Sequence, residues 1–334
     1  MVEASTQPTG FNVKQPVFGG ACPHGCPWGE IAEFVQKAMK SVGYDMIICR
    51  NCNRDRTARL VSKADRPPPL DAIDWALGTT EYVDAPVDFG VTESGMLAWA
   101  YNGRYLYAKD GPYRNLRLIA KIEDPTYLLV AVKDESDITT LSQIKEKCLS
   151  VRILTDFQPT SMPVLDYYGL TRDAVESWGG KLKMAFAPGN KDCDVIVSSM
   201  ASPANNPESA FWTELSYKYD LRFLNLPEDL LENMANETLG MIRVTVPWGL
   251  LKGVDRKIDT VARSGEAIFG RDDMPESFAY EAARAFDTHR ADLKWYIRPY
   301  SYDPNTVWKN FNVPLHPGAE RYYREMGYIN INQS

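Results

Sequence analysis

From Leu116 to Val132 the chain is strongly apolar in two pieces, LRLIAKI and TYLLVAV, broken only by Glu123, Asp124 and Pro125. Strands that leave one lobe and enter the next read this way, and a second apolar segment near Val244 reads as the return. At 334 residues the chain is also too large for one core of ordinary size. The expected organisation is therefore two lobes, with residues 1–125 and 245–334 in the first and 126–244 in the second.

On either side of that crossing, strand and helix signals alternate. Ile31, Phe34, Val35, Ala38, Met39 and Val42 recur at the spacing of one helix face, and Gly43 is a good terminator. Tyr44 to Ile48 reads as a buried strand, and the polar loop CRNCNRD leads into a short helix around Thr57 to Ser62. A Pro-rich interruption follows, and then VDFGVTESGMLAWAYNG gives a strand, a polar loop and a helix. In the second lobe, LSVRIL, CDVIVSSM and LRFLNL read as strands. Thr160 or Ser161 is placed to cap a helix over Pro163 to Tyr168, whose proline suits its first turn. The stretch MPESFAYEAARAFDTHRADLKWY predicts a long helix, with Asp272 and Asp273 as candidate caps. This is α/β, and in such sheets ligands sit beyond the carboxyl ends of the strands.

Composition excludes several classes. The chain is 44% hydrophobic and 24% charged, as a folded protein is, and no run approaches about 18 apolar residues without a charge, so no membrane span is expected. A net charge of -7 with scattered Lys and Arg excludes a nucleic-acid partner, which needs a basic stripe. The polar start MVEASTQPTGFN lacks the features of a secretory signal. If Met1 is the native start the expected location is cytoplasmic; if a signal has been removed it is periplasmic.

The loop FGGACPHGCPWGE opens the first helix. A helix N-terminus offers unsatisfied N–H groups and a partial positive charge, so Gly20 to Trp28, with Cys22 inside it, is a place to hold a carboxylate or phosphate. The same field would lower the pKa of Cys26, and His24 is near enough to act as its base, which makes these two the catalytic candidates of an enzyme. A rigid turn closed by a disulfide is the competing reading. Cys22, Cys26, Cys49 and Cys52 together also have spacings loosely acceptable for a metal, although the first pair is not the usual tight knuckle, and no metal is expected. The second loop supplies Arg50, Asn51, Asn53, Arg54 and Arg56; a guanidinium recognises a carboxylate through two parallel bonds, so an Arg here is the expected anion anchor. Glu93, Ser94, Thr160, Ser161 and Ser199 occupy loops after strands or helix starts and join the expected ligand-binding set. His289 and His316 read as structural. There is no Ser-His-Asp arrangement, HExxH, Walker loop or GxGxxG after a strand, and no cofactor is expected.

The phrases NLRLIAKIEDPTYLLVAV, DITTLSQIKEKCLSVRI, CDVIVSS, KIDTVARSGEAIFGRDDMPESFAYEAARAF and above all PLHPGAERYYREMG resemble, in that order, the TAXI-type solute receptors of TRAP transporters. The likeness runs from Asp88 to Gly327. It implies a two-lobed, periplasmic-binding-protein-like fold of the second type with a ligand cleft between lobes, a small polar organic acid as ligand, and membrane transporter subunits as partners. It also raises Arg50 and Asn51 among the ligand candidates. The sequence departs from the family pattern in its first lobe, through the missing signal, the cysteine-rich loops and the Pro-rich insertion. Those departures keep a second function open: an enzyme on the same fold, a lyase, decarboxylase or isomerase of an organic acid using the Cys/His loop.

Overall fold

The computed structural model describes residues 11, 14–20, 27–52, 56–70, 79–123, 126–185, 189, 191–201, 207–236, 240–295 and 301–329. The chain opens with β1 (Val17–Gly19), α1 (Pro27–Ser41), β2 (Ile47–Cys49), α2 (Arg56–Lys63), β3 (Phe89–Glu93), α3 (Ser94–Asn102) and β4 (Leu116–Ile122). It continues with β5 (Thr126–Lys133), α4 (Ser142–Glu146), β6 (Arg152–Thr155), α5 (Met162–Tyr167), α6 (Arg172–Ser177), β7 (Lys181–Met184) and β8 (Val195–Ala201). Then come α7 (Pro207–Lys218), β9 (Leu221–Phe223), α8 (Glu228–Met234), β10 (Met241–Val246), β11 (Ile258–Arg263) and β12 (Glu266–Arg271). Two long-range helices, α9 (Glu276–Thr288) and α10 (Pro317–Glu325), close the described chain.

These elements form two units, residues 1–123 with 265–334, and 124–264. Each has its own mixed sheet, so the fold is α/β throughout. The apolar pieces LRLIAKI and TYLLVAV fall one in each unit, as β4 and β5. The return does not fall at 245. β10 and β11 pair along six residues and β11 pairs with β5, which holds residues 245–264 in the second unit. An apolar edge hairpin and a crossing strand look alike in sequence; only the partner distinguishes them.

In unit 1 the strand order is β2-β1-β3-β12-β4. β1, β2 and β3 run parallel, and β12 lies antiparallel between β3 and β4. The helical face read from Ile31 to Val42 packs where its periodicity places it: Ile31, Val35 and Met39 are buried with Phe89, Phe278 and Phe286. Phe278 meets Phe89 edge-on at 5.2 Å, an arrangement that adds about 0.5–1.5 kcal/mol to the burial itself. α9 begins at Glu276 with Pro275 as its cap residue. Neither expected aspartate caps it, because ion pairing takes both: Asp272 joins Arg117 at 3.1 Å and Asp273 joins Arg271 at 2.8 Å.

The HPGA turn is explained by three contacts. Nδ1 of His316 accepts the Gly318 amide at 3.2 Å and so caps α10, while Nε2 donates to the Met274 carbonyl at 3.1 Å. Pro317 fills the first helical position, where its missing N–H costs nothing. A Cβ on Gly318 would lie 2.0 Å from the Glu276 carbonyl oxygen, so glycine lets α10 approach the start of α9. Burial holds the His316 imidazole below its ordinary pKa, in the neutral form this bonding requires. His289 closes α9 and meets the Ser41 hydroxyl at 3.0 Å, a helix-to-helix tie.

In unit 2 the order is β10-β11-β5-β8-β6-β7, with β9 also on β5. Its core gathers Leu129, Ile196, Leu215 and Phe223 around Trp212, which is fully buried. Burying a side chain of this kind is worth on the order of 2–3 kcal/mol. The Trp212 indole N–H donates to the Ser199 carbonyl at 2.9 Å, fixing α7 to the end of β8.

Candidate functional site

β6 and β8 are adjacent and parallel, so the chain leaves both at the same end of the second sheet. Asp156 directly follows β6 and is 1% exposed. Its Oδ1 accepts the Gln158 amide at 3.0 Å and the Ser161 hydroxyl, and its Oδ2 accepts the Ser199 amide at 2.6 Å and the Ser198 hydroxyl at 3.2 Å. The carboxylate thus takes four donors, two from the turn after β6 and two from β8, more than 40 residues apart in sequence. Ser161 Oγ in turn accepts from Thr155 at 3.1 Å and from the Gln158 amide at 3.2 Å. Ser161 stands at the cap position of α5 without a capping bond because its oxygen, which would have to accept a helix amide, already accepts from Thr155 and from the Gln158 amide.

Beside this hub the Thr160 and Ser199 hydroxyls meet at 2.6 Å, both buried. One of the two donates to the other, which leaves one hydroxyl proton and several lone pairs in the pair. Three expected ligand residues, Thr160, Ser161 and Ser199, are therefore brought together. Asp156, which organises them, was missed by sequence reasoning. Its available signal was the spacing from Asp156 to the Gln158 amide, that of an Asx turn directly after a strand.

In unit 1 the carboxyl ends of β1, β2 and β3 carry the remaining described candidates. Gly20 has φ +96°, and a Cβ there would lie 2.1 Å from the Val91 carbonyl oxygen, so only glycine fits. Cys22, His24, Cys26 and Asn53 lie outside the described residues. Trp28, in the first turn of α1, donates its indole N–H to Glu266 Oε2 at 2.6 Å. Glu266 stands directly opposite Glu93 in the β3–β12 register, and both carboxylates are buried. Ser94 donates both its hydroxyl, at 2.6 Å, and its amide, at 2.9 Å, to the Gly265 carbonyl. Asn310 donates to the Ser94 carbonyl at 3.2 Å, and its buried Oδ1 has no hydrogen-bond partner among the described residues. Trp28, Glu93 and Ser94 thus form a second group, to which Glu266 and Asn310 belong although the sequence did not single them out.

Arg50 and Asn51 are engaged elsewhere in the fold. Arg50 pairs with Glu33 of α1 at 3.1 Å. Asn51, fully buried, reaches the Pro68 carbonyl at 3.4 Å and the Val83 amide at 3.5 Å, bracing both sides of the Pro-rich segment. Cys49 and Cys52 form a disulfide and both are buried. That bond removes two of the four thiolates the metal reading needed, since a disulfide sulfur is no longer a thiolate donor. The Thr57 hydroxyl donates to the Cys52 carbonyl and ties the bridged loop to α2. Of the two free cysteines among the described residues, Cys193 is buried, and burial pushes its thiol pKa up to about 11, which makes it inert as a nucleophile.

Residues 83–327 match the family model described as the NMT1-like family, a stretch that includes Asp156, its hydroxyl cluster and the HPGA turn. Among solved structures the chain is similar to XAC2383 from Xanthomonas citri bound to chloride ion, at 13% identity and a TM-score of 0.44, over 93% of this chain and 95% of that one. It is also similar to a TctC solute binding protein from Polaromonas, at 11% identity and a TM-score of 0.43, over 95% of this chain and 99% of that one. No helix among the described residues is long and apolar enough to cross a membrane.

Proposed function

The chain belongs to the NMT1-like family, and from that premise we propose that it is the solute receptor of a membrane transporter, of the TAXI type in TRAP systems, and that it captures a small polar organic acid. The observation that carries this reading is the hydroxyl cluster held by Asp156 where β6 and β8 end. Short hydroxyl side chains on rigid strand ends, fixed by a fully bonded carboxylate, are suited to orienting a polar solute without reacting with it. Thr160 and Ser199 are its contacts. The Cys49–Cys52 disulfide supports an exported protein, since such bonds persist in oxidising compartments.

Isothermal titration of the purified chain against amino acids and dicarboxylates tests the proposal. One member of the panel is expected to bind one-to-one, and Thr160→Val or Ser199→Ala to weaken it about tenfold, the equivalent of one hydrogen bond of about 1.4 kcal/mol. Consumption of the bound acid on prolonged incubation would replace the receptor reading with the enzyme.

A further inference from the structure

Tyr105 and Leu106 of unit 1 are adjacent, large and apolar, yet 50% and 53% exposed. They sit on a 3-10 turn, Tyr105–Tyr107, just after α3, and the third residue, Tyr107, is fully buried and anchors it. Tyr105 has φ +48°, in the left-handed region that favours glycine. Its ring lies against Trp99, 4.2 Å between centroids. The exposed pair is thus held in a strained backbone supported from beneath.

Charge surrounds this tip asymmetrically. Residues 104–117 contain four cations and one carboxylate, Asp110, in a protein whose net charge is -7. That carboxylate is already engaged by Arg59 and by the Tyr113 hydroxyl. Arg104 immediately before the tip, and Lys109 and Arg114 after it, are all exposed. An apolar tip within a cationic rim matches an anionic surface, the apolar side chains entering the acyl boundary while the cations stay among phosphates. A specific protein interface covers about 800 Å² per partner, far more than two side chains present, whereas a lipid surface demands no shape complement.

We propose that this turn is a peripheral docking site for an anionic phospholipid surface. The site is independent of the solute reading. One such anchor gives weak, reversible attachment, strengthened by each cation near the headgroups and weakened by salt.

The test is co-sedimentation with vesicles of phosphatidylcholine, alone or with about one-third phosphatidylglycerol, at low and high salt. The wild-type chain is expected to partition at least tenfold more strongly onto the anionic vesicles at low salt. The double change R104E/K109E should abolish that preference, and L106D should reduce binding several-fold, with thermal unfolding of both variants unchanged because the altered side chains are exposed. Absence of an anionic preference in the wild type would overturn the proposal. So would competition by soluble polyglutamate combined with indifference to L106D, a result that would assign the patch to an acidic protein partner.

Discussion

Replacing Asp156 by asparagine tests the architecture of the hydroxyl cluster most sharply. The carboxylate accepts two donors at each oxygen, and an amide turns one of those oxygens into a donor. Hydroxyls can rotate and accept, but backbone N–H groups cannot. The Gln158 amide retains Ser161 Oγ as a second acceptor at 3.2 Å, so the asparagine NH2 should turn toward that side and leave its carbonyl for the Ser199 amide. Both bonds on the Ser198/Ser199 side then lose their charge assistance and the other side is frustrated, a loss of about 1–3 kcal/mol. Asp156→Ala leaves both buried amides without the carboxylate, and its loss should be larger by about 1–2 kcal/mol. Urea unfolding followed by Trp fluorescence gives the ranking. The two units need not unfold together, so the transition assigned to residues 124–264 is the one to follow. The decisive comparison includes Thr160→Val, which leaves every bond of Asp156 in place, deprives only the Ser199 hydroxyl of its partner, and should cost about 1 kcal/mol while weakening solute binding. If Asp156→Asn leaves the midpoint unmoved, or Thr160→Val proves the more destabilising, the hub role of Asp156 is wrong.

Three further outcomes are expected in unit 1. Removing the Cys49–Cys52 bond by the double serine change should cost about 2 kcal/mol, the chain-entropy value for so short a loop, and reducing agent should lower the wild-type melting temperature by more than that of the variant. His316 is held neutral by burial, with its pKa below the ordinary 6.5, so the unfolded chain takes up a proton before the folded one does. Stability should be fully present above pH 6.5 and decline as pH falls through that value toward the lower folded pKa; chemical unfolding across this range should show the slope, and His316→Asn should flatten it. Gly318→Ala gains about 1 kcal/mol of helix propensity but drives a methyl to 2.0 Å from a backbone oxygen, so a net loss of about 1–3 kcal/mol is expected by calorimetry.

Local pattern made part of this molecule legible. The face from Ile31 to Val42 and the helix of Phe278 and Phe286 show a period that only burial against a sheet explains, and both pack accordingly. The α/β class followed from alternation alone. Pairing across long separations left no such trace. Residues 245–264 form an apolar edge hairpin whose allegiance is decided by β5, more than a hundred residues earlier. Asp156 looks like any aspartate in a loop until Ser198 and Ser199 are folded onto it. The cap expected of Ser161 failed because its oxygen accepts instead from Thr155 and from the Gln158 amide, which lie in the folded turn after β6. In the four-cysteine set, spacing alone left several pairings open, and the geometry of the β2 loop decided for Cys49 and Cys52.

The position of β12 also determines the order in which the molecule can be assembled. β3 and β4 are both made early, yet neither pairs with the other; each pairs with β12, which lies between them. A growing chain that has reached Glu123 therefore carries four of the five strands, with a gap between β3 and β4 and an apolar strand edge on each side of it. All seven strands of the second sheet, by contrast, lie within residues 126–263, so unit 2 is complete before the missing strand of unit 1 has been synthesised. The last unit to close is the one that began first. Until Glu266–Arg271 arrives, its N-terminal segment remains an incomplete and adhesive intermediate. The insertion of that one late strand is what ends the open state.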